Sequence, residues 1–148
     1  MTPVPAARAA AAVINSNPIE VAAALLFREG RLLIARRRAG DHLGGLWEFP
    51  GGKREPRETL PECLARELRE ELGIEVAVDD LIAEIIHHYP GKSVDLKFFR
   101  CRLLSGEPAP IFCDAIAWVT PSQLDDYQFP AADAQLLTQL KSSPHIWK

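Results

Sequence analysis

The stretch that decides the fold is Gly52–Ile74, which reads GKREPRETLPECLARELREELGI. Thr59 and Glu62 form the Ser/Thr-x-x-Glu pattern of a capping box, in which each side chain bonds the other residue's backbone at a helix start. Gly73 follows as a stop, because glycine adopts the left-handed conformation that ends many helices. The residues between are good helix formers. The stretch therefore predicts a helix that begins after Thr59 and ends at Leu72.

At helical spacing the predicted helix has an apolar face and an acidic face. The apolar face consists of Pro61, Leu64, Ala65, Leu68 and Leu72. The acidic face holds Glu67, Glu70 and Glu71 at spacings where like charges repel. Such a face is either a solvated surface, offset by Arg66 and Arg69, or a site for a hard cation. Magnesium suits the second interpretation, because it prefers carboxylate and other oxygen ligands.

The residues before the helix favour the cation site. Pro50, Gly51 and Gly52 predict a tight glycine-rich turn, where the backbone can approach a ligand closely. The whole stretch resembles the Nudix box, Gly-x5-Glu-x7-Arg-Glu-U-x-Glu-Glu-x-Gly-U, in which U is an aliphatic residue. Every fixed position is filled, by Gly52, Glu58, Arg66, Glu67, Leu68, Glu70, Glu71, Gly73 and Ile74.

From Ile19 onward the chain resembles the Nudix hydrolase superfamily, and within it the MutT-like nucleoside triphosphate pyrophosphohydrolases. Outside the box the resemblance rests on LWEFPGGK at Leu46–Lys53, GEP at Gly106–Pro108 and FPAAD at Phe129–Asp133. It implies the α/β class and the Nudix α/β/α sandwich, with a mixed β-sheet between helices. It also implies hydrolysis of a nucleoside triphosphate to the monophosphate and pyrophosphate.

The resemblance assigns the catalytic residues to Glu67, Glu70, Glu71 and Arg66. The three glutamates would bind Mg²⁺, or Mn²⁺, and the Gly52 backbone and Glu48 would complete the metal site. Arg66 would orient the glutamates through charge-assisted hydrogen bonds; its alternative is a surface ion pair, which contributes little.

Four residues are implied for substrate binding: Arg37, Lys53, Phe129 and Asp133. Arg37 aligns with a base-reading arginine of MutT proteins, or is a surface member of an arginine triplet. Lys53 meets a phosphate or is simply solvated. Phe129 opens the stretch that ends, in MutT itself, in an asparagine that reads oxidised guanine. Asp133 stands there instead, and an ionised aspartate only accepts hydrogen bonds. We therefore expect weaker preference for 8-oxo-dGTP and useful activity on cytidine nucleotides.

One expected acid is missing. MutT-like enzymes carry an auxiliary glutamate six residues before a late tryptophan, and counting back from Trp118 reaches Phe112. Asp114 or Glu84 could replace it. The general base is therefore unassigned, with Glu70 as the preferred candidate.

Length and composition indicate one globular domain. The chain has 148 residues, of which 47% are hydrophobic and 25% charged, and a net charge of -3. No strong field draws it to nucleic acid or to a membrane. Three cysteines without zinc-ligand spacing indicate reduced thiols. We expect a cytoplasmic monomer or homodimer that binds a small-molecule nucleotide, without a stable nucleic-acid or membrane partner.

Residues 1–18 are alanine-rich and predict a disordered tail rather than a targeting peptide. Residues 19–148 predict a single domain. Its predicted strands are 19–27, 32–35, 47–49, 75–78, 81–88, 94–103 and 115–119, with a loop at 39–46, a short helical turn from Thr120 and a closing helix at 131–141.

Two alternative functions stay open. A non-catalytic module that recognises oxidised guanine in DNA is similar around Leu46–Pro50, but such modules tend to have degraded boxes. A Nudix hydrolase for ADP-ribose, nucleotide sugars or dinucleoside polyphosphates would share the box and differ in its flanks.

Overall fold

The computed structural model describes residues 18–148, so the tail predicted for residues 1–18 lies outside it apart from Pro18. Seven strands and two α-helices make up this part of the chain. The strands are β1 (Ile19–Arg28), β2 (Arg31–Arg36), β3 (Trp47–Glu48), β4 (Gly51–Lys53), β5 (Glu75–Tyr89), β6 (Lys92–Ser105) and β7 (Ala115–Val119). The α-helices are α1 (Leu60–Leu72) and α2 (Ala134–Ser142), with 3-10 turns at Pro121–Asp126, Ala131–Asp133 and Pro144–Trp147.

The strands form one mixed sheet in the order β3-β2-β1-β6-β5, with β4 also beside β1 and β7 beside β2. At its centre β1 and β6 run parallel, from the pair Ile19 and Val94 to the pair Leu26 and Cys101. The other pairings are antiparallel. A mixed sheet with helices on both faces confirms the predicted architecture.

Each face of the sheet carries its own core. On one face α1 buries Cys63, Leu64, Leu68 and Leu72 against residues of β1 and β6. On the other face lie α2 and the C-terminal 3-10 turn, which contribute Leu136, Leu140, Ile146 and Trp147. Alternate residues of β1 point to opposite cores, as the period of a strand requires.

The apolar face predicted for α1 is partly wrong. Pro61 is exposed and Ala65 is half-buried, whereas Cys63 is fully buried. The burying face is therefore rotated towards Cys63, whose thiol contacts the Gly52 carbonyl of β4.

The ends of α1 are those predicted. The Thr59 Oγ1 accepts from the Glu62 amide at 3.2 Å, and the Thr59 amide donates to Glu62 Oε1 at 2.8 Å. Gly73 has φ 72 and its amide donates to the Arg69 carbonyl at 3.1 Å. Beyond the helix, the amides of Ile111 and Phe112 both donate to the Glu71 carbonyl at 3.1 Å. Side chains and a distant loop thus satisfy the helix termini.

Three other predictions need correction. Gly51 and Gly52 do not form a turn, because with Lys53 they form β4, paired with Val21–Ala23 of β1. The two strands predicted at 75–78 and 81–88 are one strand, β5, with irregular register near Leu81. The closing helix begins as a 3-10 turn at Ala131–Asp133 before α2.

Between residues 18 and 148, the structure contains no helix with the length and apolarity needed to cross a membrane.

Candidate active site

Arg66 is the centre of an ion-pair network on α1. Its Nε and Nη2 donate to the two carboxylate oxygens of Glu58 at 3.0 and 2.7 Å. Its Nη1 donates to Glu67 Oε2 and to Glu70 Oε1, both at 3.2 Å. The fork on Glu58 lowers the pKa of that carboxyl to about 2, chiefly through the hydrogen bonds from Arg66. Arg66 is therefore held by Glu58 while it orients two of the three predicted metal ligands.

The three helix glutamates differ in their surroundings. Glu70 points outward, with 58% of its side chain exposed, whereas the Glu67 side chain is only 17% exposed. The Glu71 carboxyl is buried, and its Oε1 has no hydrogen-bond partner among the described residues. Burial, together with the nearby carboxylates of Glu48 and Glu67, raises the pKa of Glu71 to about 9. Burial likewise raises the pKa of Glu67.

Gly52 lies directly against this cluster. A Cβ atom added at Gly52 would overlap the Glu67 carboxyl group, so this carboxyl group can keep its position only while residue 52 has no side chain. The Gly52 carbonyl accepts a weak hydrogen bond from the Cys63 thiol, with 3.5 Å between sulfur and oxygen. The backbone and the carboxylates predicted to share a metal are thus neighbours.

The residues present fit a hard divalent cation. Carboxylates crowded at low exposure repel one another, and the unpartnered Glu71 Oε1 needs a donor or a cation. Oxygen ligands of this kind are those that Mg²⁺ and Mn²⁺ take. In the stretch from residue 18 to residue 148, no three His, Cys, Asp or Glu side chains already stand in ligand geometry. Glu67 and Glu70 are instead ion-paired with Arg66, both at 3.2 Å.

A cavity of about 410 Å³ opens beside the cluster, a volume in the range of small-molecule sites. Its apolar floor is formed by side chains of β1 and β6. Polar groups at its rim include Arg37, Glu48, Lys53 and Asp133. Two of the predicted metal residues, Gly52 and Glu48, and three of the four predicted substrate residues therefore border one space.

Arg37 and Glu48 form an ion pair at the edge of this cavity. Arg37 Nη1 donates to Glu48 Oε1 at 2.7 Å, and its Nε donates to the His42 carbonyl at 2.7 Å. Burial raises the pKa of Glu48, while Arg37 opposes that shift. Glu48 also raises the pKa values of Glu71 and of Asp133, and it lines the cavity together with Asp133.

Asp133 is the most enclosed of the predicted substrate residues, with 8% of its surface exposed. Its carboxylate makes no hydrogen bond within residues 18–148 and borders the cavity. Burial, and secondarily Glu48, raise its pKa to about 7. Phe129 stands behind the cavity wall, where its ring stacks on Phe49 with centroids 5.2 Å apart. Lys53 is exposed at the rim.

The candidates for the missing acid lie elsewhere. Phe112 is 60% exposed and packs under the Arg38 guanidinium, 4.3 Å from the ring centroid. Asp114 is exposed on the adjoining loop. Glu84 pairs with Lys97 at 3.4 Å, in a separate group with Asp95. The general base stays unassigned.

The sequence did not single out several residues that border the cavity. These are His42 and Leu43 on the loop before β3, Tyr89 at the end of β5, Lys92 at the start of β6, and Val21, Val94 and Leu96 on the floor. The floor residues were identifiable only as strand residues, because nothing local shows which face of a strand meets a ligand. The loop residues carried no signal.

Known proteins match the chain along most of its length. A family model described as NUDIX domain matches residues 21–139. The CTP pyrophosphohydrolase of Escherichia coli strain K12 is 39% identical over 119 residues, which cover 80% of this chain and 88% of the relative. The 8-oxo-dGTP diphosphatase of Haemophilus influenzae is 34% identical over 133 residues, which cover 89% of this chain and 98% of the relative.

Solved structures agree with these sequence relatives. The solution structure of the E. coli ORF135 protein superposes with a TM-score of 0.75 at 35% identity, covering 86% of this chain and 91% of that one. The crystal structure of the MutT protein from Methanosarcina mazei Go1 gives a TM-score of 0.74 at 26% identity, covering 86% and 96%. With the box intact and the match extending through both flanks, the chain belongs to the Nudix family, as a MutT-like pyrophosphohydrolase.

Proposed function

We propose that this protein hydrolyses nucleoside triphosphates to the monophosphate and pyrophosphate with Mg²⁺, and that cytidine nucleotides are among its substrates. The observation that carries the proposal is the buried carboxyl of Glu71, whose Oε1 is unpartnered within the described residues. It lies with Glu48 and Glu67 beside a cavity large enough for a nucleotide.

In this proposal Glu67, Glu70 and Glu71 hold the cation, with the Gly52 carbonyl and Glu48 nearby. When bound, Mg²⁺ or Mn²⁺ would neutralise phosphate charge and lower the pKa of a water molecule. Hydrolysis of a phosphoanhydride depends mainly on positioning and charge stabilisation, so the protein needs no covalent nucleophile. Glu70, the most exposed of the three, stays the preferred candidate for the base.

Arg66 positions this cluster. Its guanidinium is fixed by a two-pronged bond to Glu58, and the remaining donors orient Glu67 and Glu70. A lysine offers one point charge and cannot reproduce this fork. Lys53, at the rim of the cavity, is placed to meet the phosphate chain.

Asp133 selects the base in this proposal. A buried carboxylate without a partner in the described chain accepts N–H groups and disfavours a facing carbonyl oxygen. The exocyclic amine of cytosine supplies such a donor, whereas 8-oxo-guanine presents N7–H beside the O6 carbonyl. Arg37 Nη2, which makes no hydrogen bond within residues 18–148, supplies a donor to the same cavity. A relative named CTP pyrophosphohydrolase supports this choice.

The reaction is tested with pure protein and a panel of canonical, oxidised and methylated nucleotides, together with ADP-ribose. Products are identified after incubation with Mg²⁺ or with EDTA. We expect monophosphate and pyrophosphate with Mg²⁺ and no turnover after verified metal removal. Full activity in EDTA contradicts the metal role, and ADP-ribose as the preferred substrate contradicts the substrate class.

The metal site is tested with Glu70→Gln and Glu71→Gln, which keep shape and remove charge. We expect a large loss of turnover with the fold retained. Glu75→Gln is the matched control, because the Glu75 side chain is 47% exposed and pairs only with Arg69, at 2.7 Å, among the described residues. Near-native rates in both active-site variants would exclude this site.

Base selection is tested by the ratio of kcat/KM for dCTP to kcat/KM for 8-oxo-dGTP. It is measured in the native protein and in Asp133→Asn at about pH 8, where Asp133 is mostly ionised. We expect the substitution to shift the ratio towards 8-oxo-dGTP, since one mismatched buried polar pair is worth about 1–3 kcal/mol. An unchanged ratio means that Asp133 does not read the base.

A further inference from the structure

Two residues other than glycine adopt a left-handed backbone in residues 18–148, namely Glu29 with φ 53 and Leu43 with φ 58. This conformation is disfavoured for residues with a Cβ atom, and Asn and Asp adopt it more readily than Leu. Glu29 has a local reason. With Gly30, φ 76, it forms the two-residue turn between β1 and β2, and such turns require positive φ at both positions.

Leu43 also lies in a turn, because the Gly44 amide donates to the Asp41 carbonyl at 2.9 Å and makes Leu43 the third residue of that turn, a position that usually holds glycine when its φ is positive. It belongs to neither of the two cores formed by the described residues, and its side chain is only half-buried. It lies in the 38–46 loop, which contains three glycines. A glycine at this position would adopt the same backbone without strain. The turn accounts for the left-handed backbone, but neither the turn nor core packing accounts for a leucine side chain at this position.

The 38–46 loop is fixed around Arg37. The Arg37 amide donates to the Leu46 carbonyl at 2.9 Å, and the Gly45 amide donates to the Arg37 carbonyl at 3.0 Å. The Arg37 side chain reaches the His42 carbonyl, one residue before Leu43, and holds Glu48 with its other arm. These hydrogen bonds hold the loop in one conformation, which allows a strained residue to persist there.

The Leu43 side chain borders the cavity proposed for the nucleotide. Apolar residues of β1 and β6, among them Val21 and Leu96, form the floor of the same cavity. Leu43 thus adds an apolar group from the loop to a cavity whose other apolar groups come from the sheet. A flat base or a sugar ring has apolar surface that such side chains can cover, whereas a phosphate chain has none.

We infer that Leu43 is a specificity-determining residue, which contacts the nucleoside part of the substrate and not its phosphates. The inference rests on the proposed function. The left-handed backbone at Leu43 holds the side chain over the cavity, and the bond from Arg37 to His42 keeps it there. Strain at this position serves binding, as strained residues at functional sites often do.

The test uses Leu43→Gly, which removes both strain and side chain, and Leu43→Asn, which suits the backbone but presents a polar group. Leu43→Met keeps an apolar side chain. Glu29→Gly is the matched control, because it relieves the same kind of strain far from the cavity. Each protein is assayed for Tm, for KM and kcat with the panel nucleotide hydrolysed fastest, and for inhibition by inorganic tripolyphosphate, which lacks a nucleoside.

We expect KM to rise about tenfold in Leu43→Gly and Leu43→Asn. Each variant loses the apolar contact that one side chain makes with the substrate, and a loss of this size weakens binding by about that factor. Their kcat, their Tm and their inhibition by tripolyphosphate should stay near native values. Leu43→Met should have nearly native KM, and Glu29→Gly should match the native protein throughout.

Three results overturn the inference. Native KM in both Leu43→Gly and Leu43→Asn shows that Leu43 does not contact the substrate. A large fall of Tm in Leu43→Gly shows that Leu43 has a structural role. If inhibition by tripolyphosphate weakens in the Leu43 variants by the same factor as their KM rises, Leu43 does not contact the nucleoside. A native protein that hydrolyses no nucleotide of the panel contradicts the proposed function itself, and the inference with it.

Discussion

At Gly52, the addition of a single methyl group should reduce activity without unfolding the protein. A Cβ atom there overlaps the Glu67 carboxyl group, so Gly52→Ala must displace either β4 or Glu67. Because Glu67 is a flexible side chain, we expect it to move, with turnover falling at least about tenfold and the fold retained. The measurement is kcat together with circular dichroism. Gly40→Ala is the control, since a Cβ atom at Gly40 meets nothing within 4 Å. Equal activity of the two variants would contradict the crowding of Gly52 against Glu67.

Asp133 should make stability depend on pH. Its pKa is raised from 3.8 to about 7 in the folded protein, so the native state binds more protons than the unfolded state between these values. Stability therefore falls as pH rises through this window, and the penalty is complete above about pH 7. We expect Asp133→Asn to stabilise the metal-free protein by about 2–4 kcal/mol at pH 8 and hardly at all at pH 4.

Urea denaturation in EDTA at several pH values measures this effect. Asp126→Asn is the control, because Asp126 is exposed on the neighbouring 3-10 turn. A stabilisation by Asp133→Asn that is constant with pH would show that the native carboxyl is not destabilised by burial.

The sequence was sufficient to predict the surroundings of individual residues where the interacting residues are close together in the chain. Glu58, Arg66, Glu67 and Glu70 lie within one helix and its approach, and the resemblance to the Nudix box implied that Arg66 orients the glutamates. The exposure of Pro61 and the burial of Cys63 were not predictable in this way. They depend on the angle at which α1 crosses the sheet, which is a property of the packed protein.

At the scale of the elements, the capping box of α1 gives a test of local design. Thr59→Ala removes the acceptor for the Glu62 amide and should destabilise the protein by about 1 kcal/mol. Urea denaturation measures the change. Thr138→Ala is the matched control, because Thr138 lies exposed within α2 and its hydroxyl, among the residues that the structure describes, bonds only the Ala134 carbonyl. Equal effects of the two substitutions would show that the box contributes nothing beyond helix propensity.

Helix ends were predictable because their signals lie within a few residues of the ends. The strands β4 and β5 were not, because their extents depend on partners far along the chain. Gly51 and Gly52 look like a turn in isolation and become a strand only through pairing with β1. The irregular register near Leu81 breaks the pattern of β5 in sequence, although β6 keeps the strand continuous.

At the scale of the whole molecule, the C-terminal 3-10 turn completes the core beneath α2. Trp147 is 5% exposed, its Nε1 donates to the Leu140 carbonyl at 2.9 Å, and its ring meets Phe27 edge-on at 5.4 Å. We expect Trp147→Ala to destabilise the protein by about 3–5 kcal/mol. Below the melting transition kcat should be retained, because Trp147 does not border the cavity that adjoins the glutamates.

His145→Ala is the control for this prediction, since His145 is an exposed residue of the same turn. Thermal melts and kcat at low temperature are the measurements. A loss of kcat in a fully folded Trp147→Ala protein would show that this core supports the site directly.

The candidate site was predictable where a compact motif describes it and not where the fold assembles it. The box supplies Gly52 and the glutamates within one stretch. The cavity instead combines β1, the 38–46 loop, the β5–β6 hairpin and Asp133. These segments are adjacent only in the folded sheet, and no spacing along the chain predicts that they are adjacent.

The parallel pairing of β1 and β6 has a consequence for the order in which the protein can fold. The partners Ile19 and Val94 are separated by β2, β3, β4, α1 and β5, so this pair closes a long loop whose entropy must be lost first. On the ribosome, α1 emerges well before β6 does. Until β6 is synthesised, the leucines of α1 lack part of the sheet that covers them, and the glutamates have no formed site. A nascent chain in which β6 has not yet been synthesised therefore carries a complete Nudix box that is inactive and accessible to chaperones.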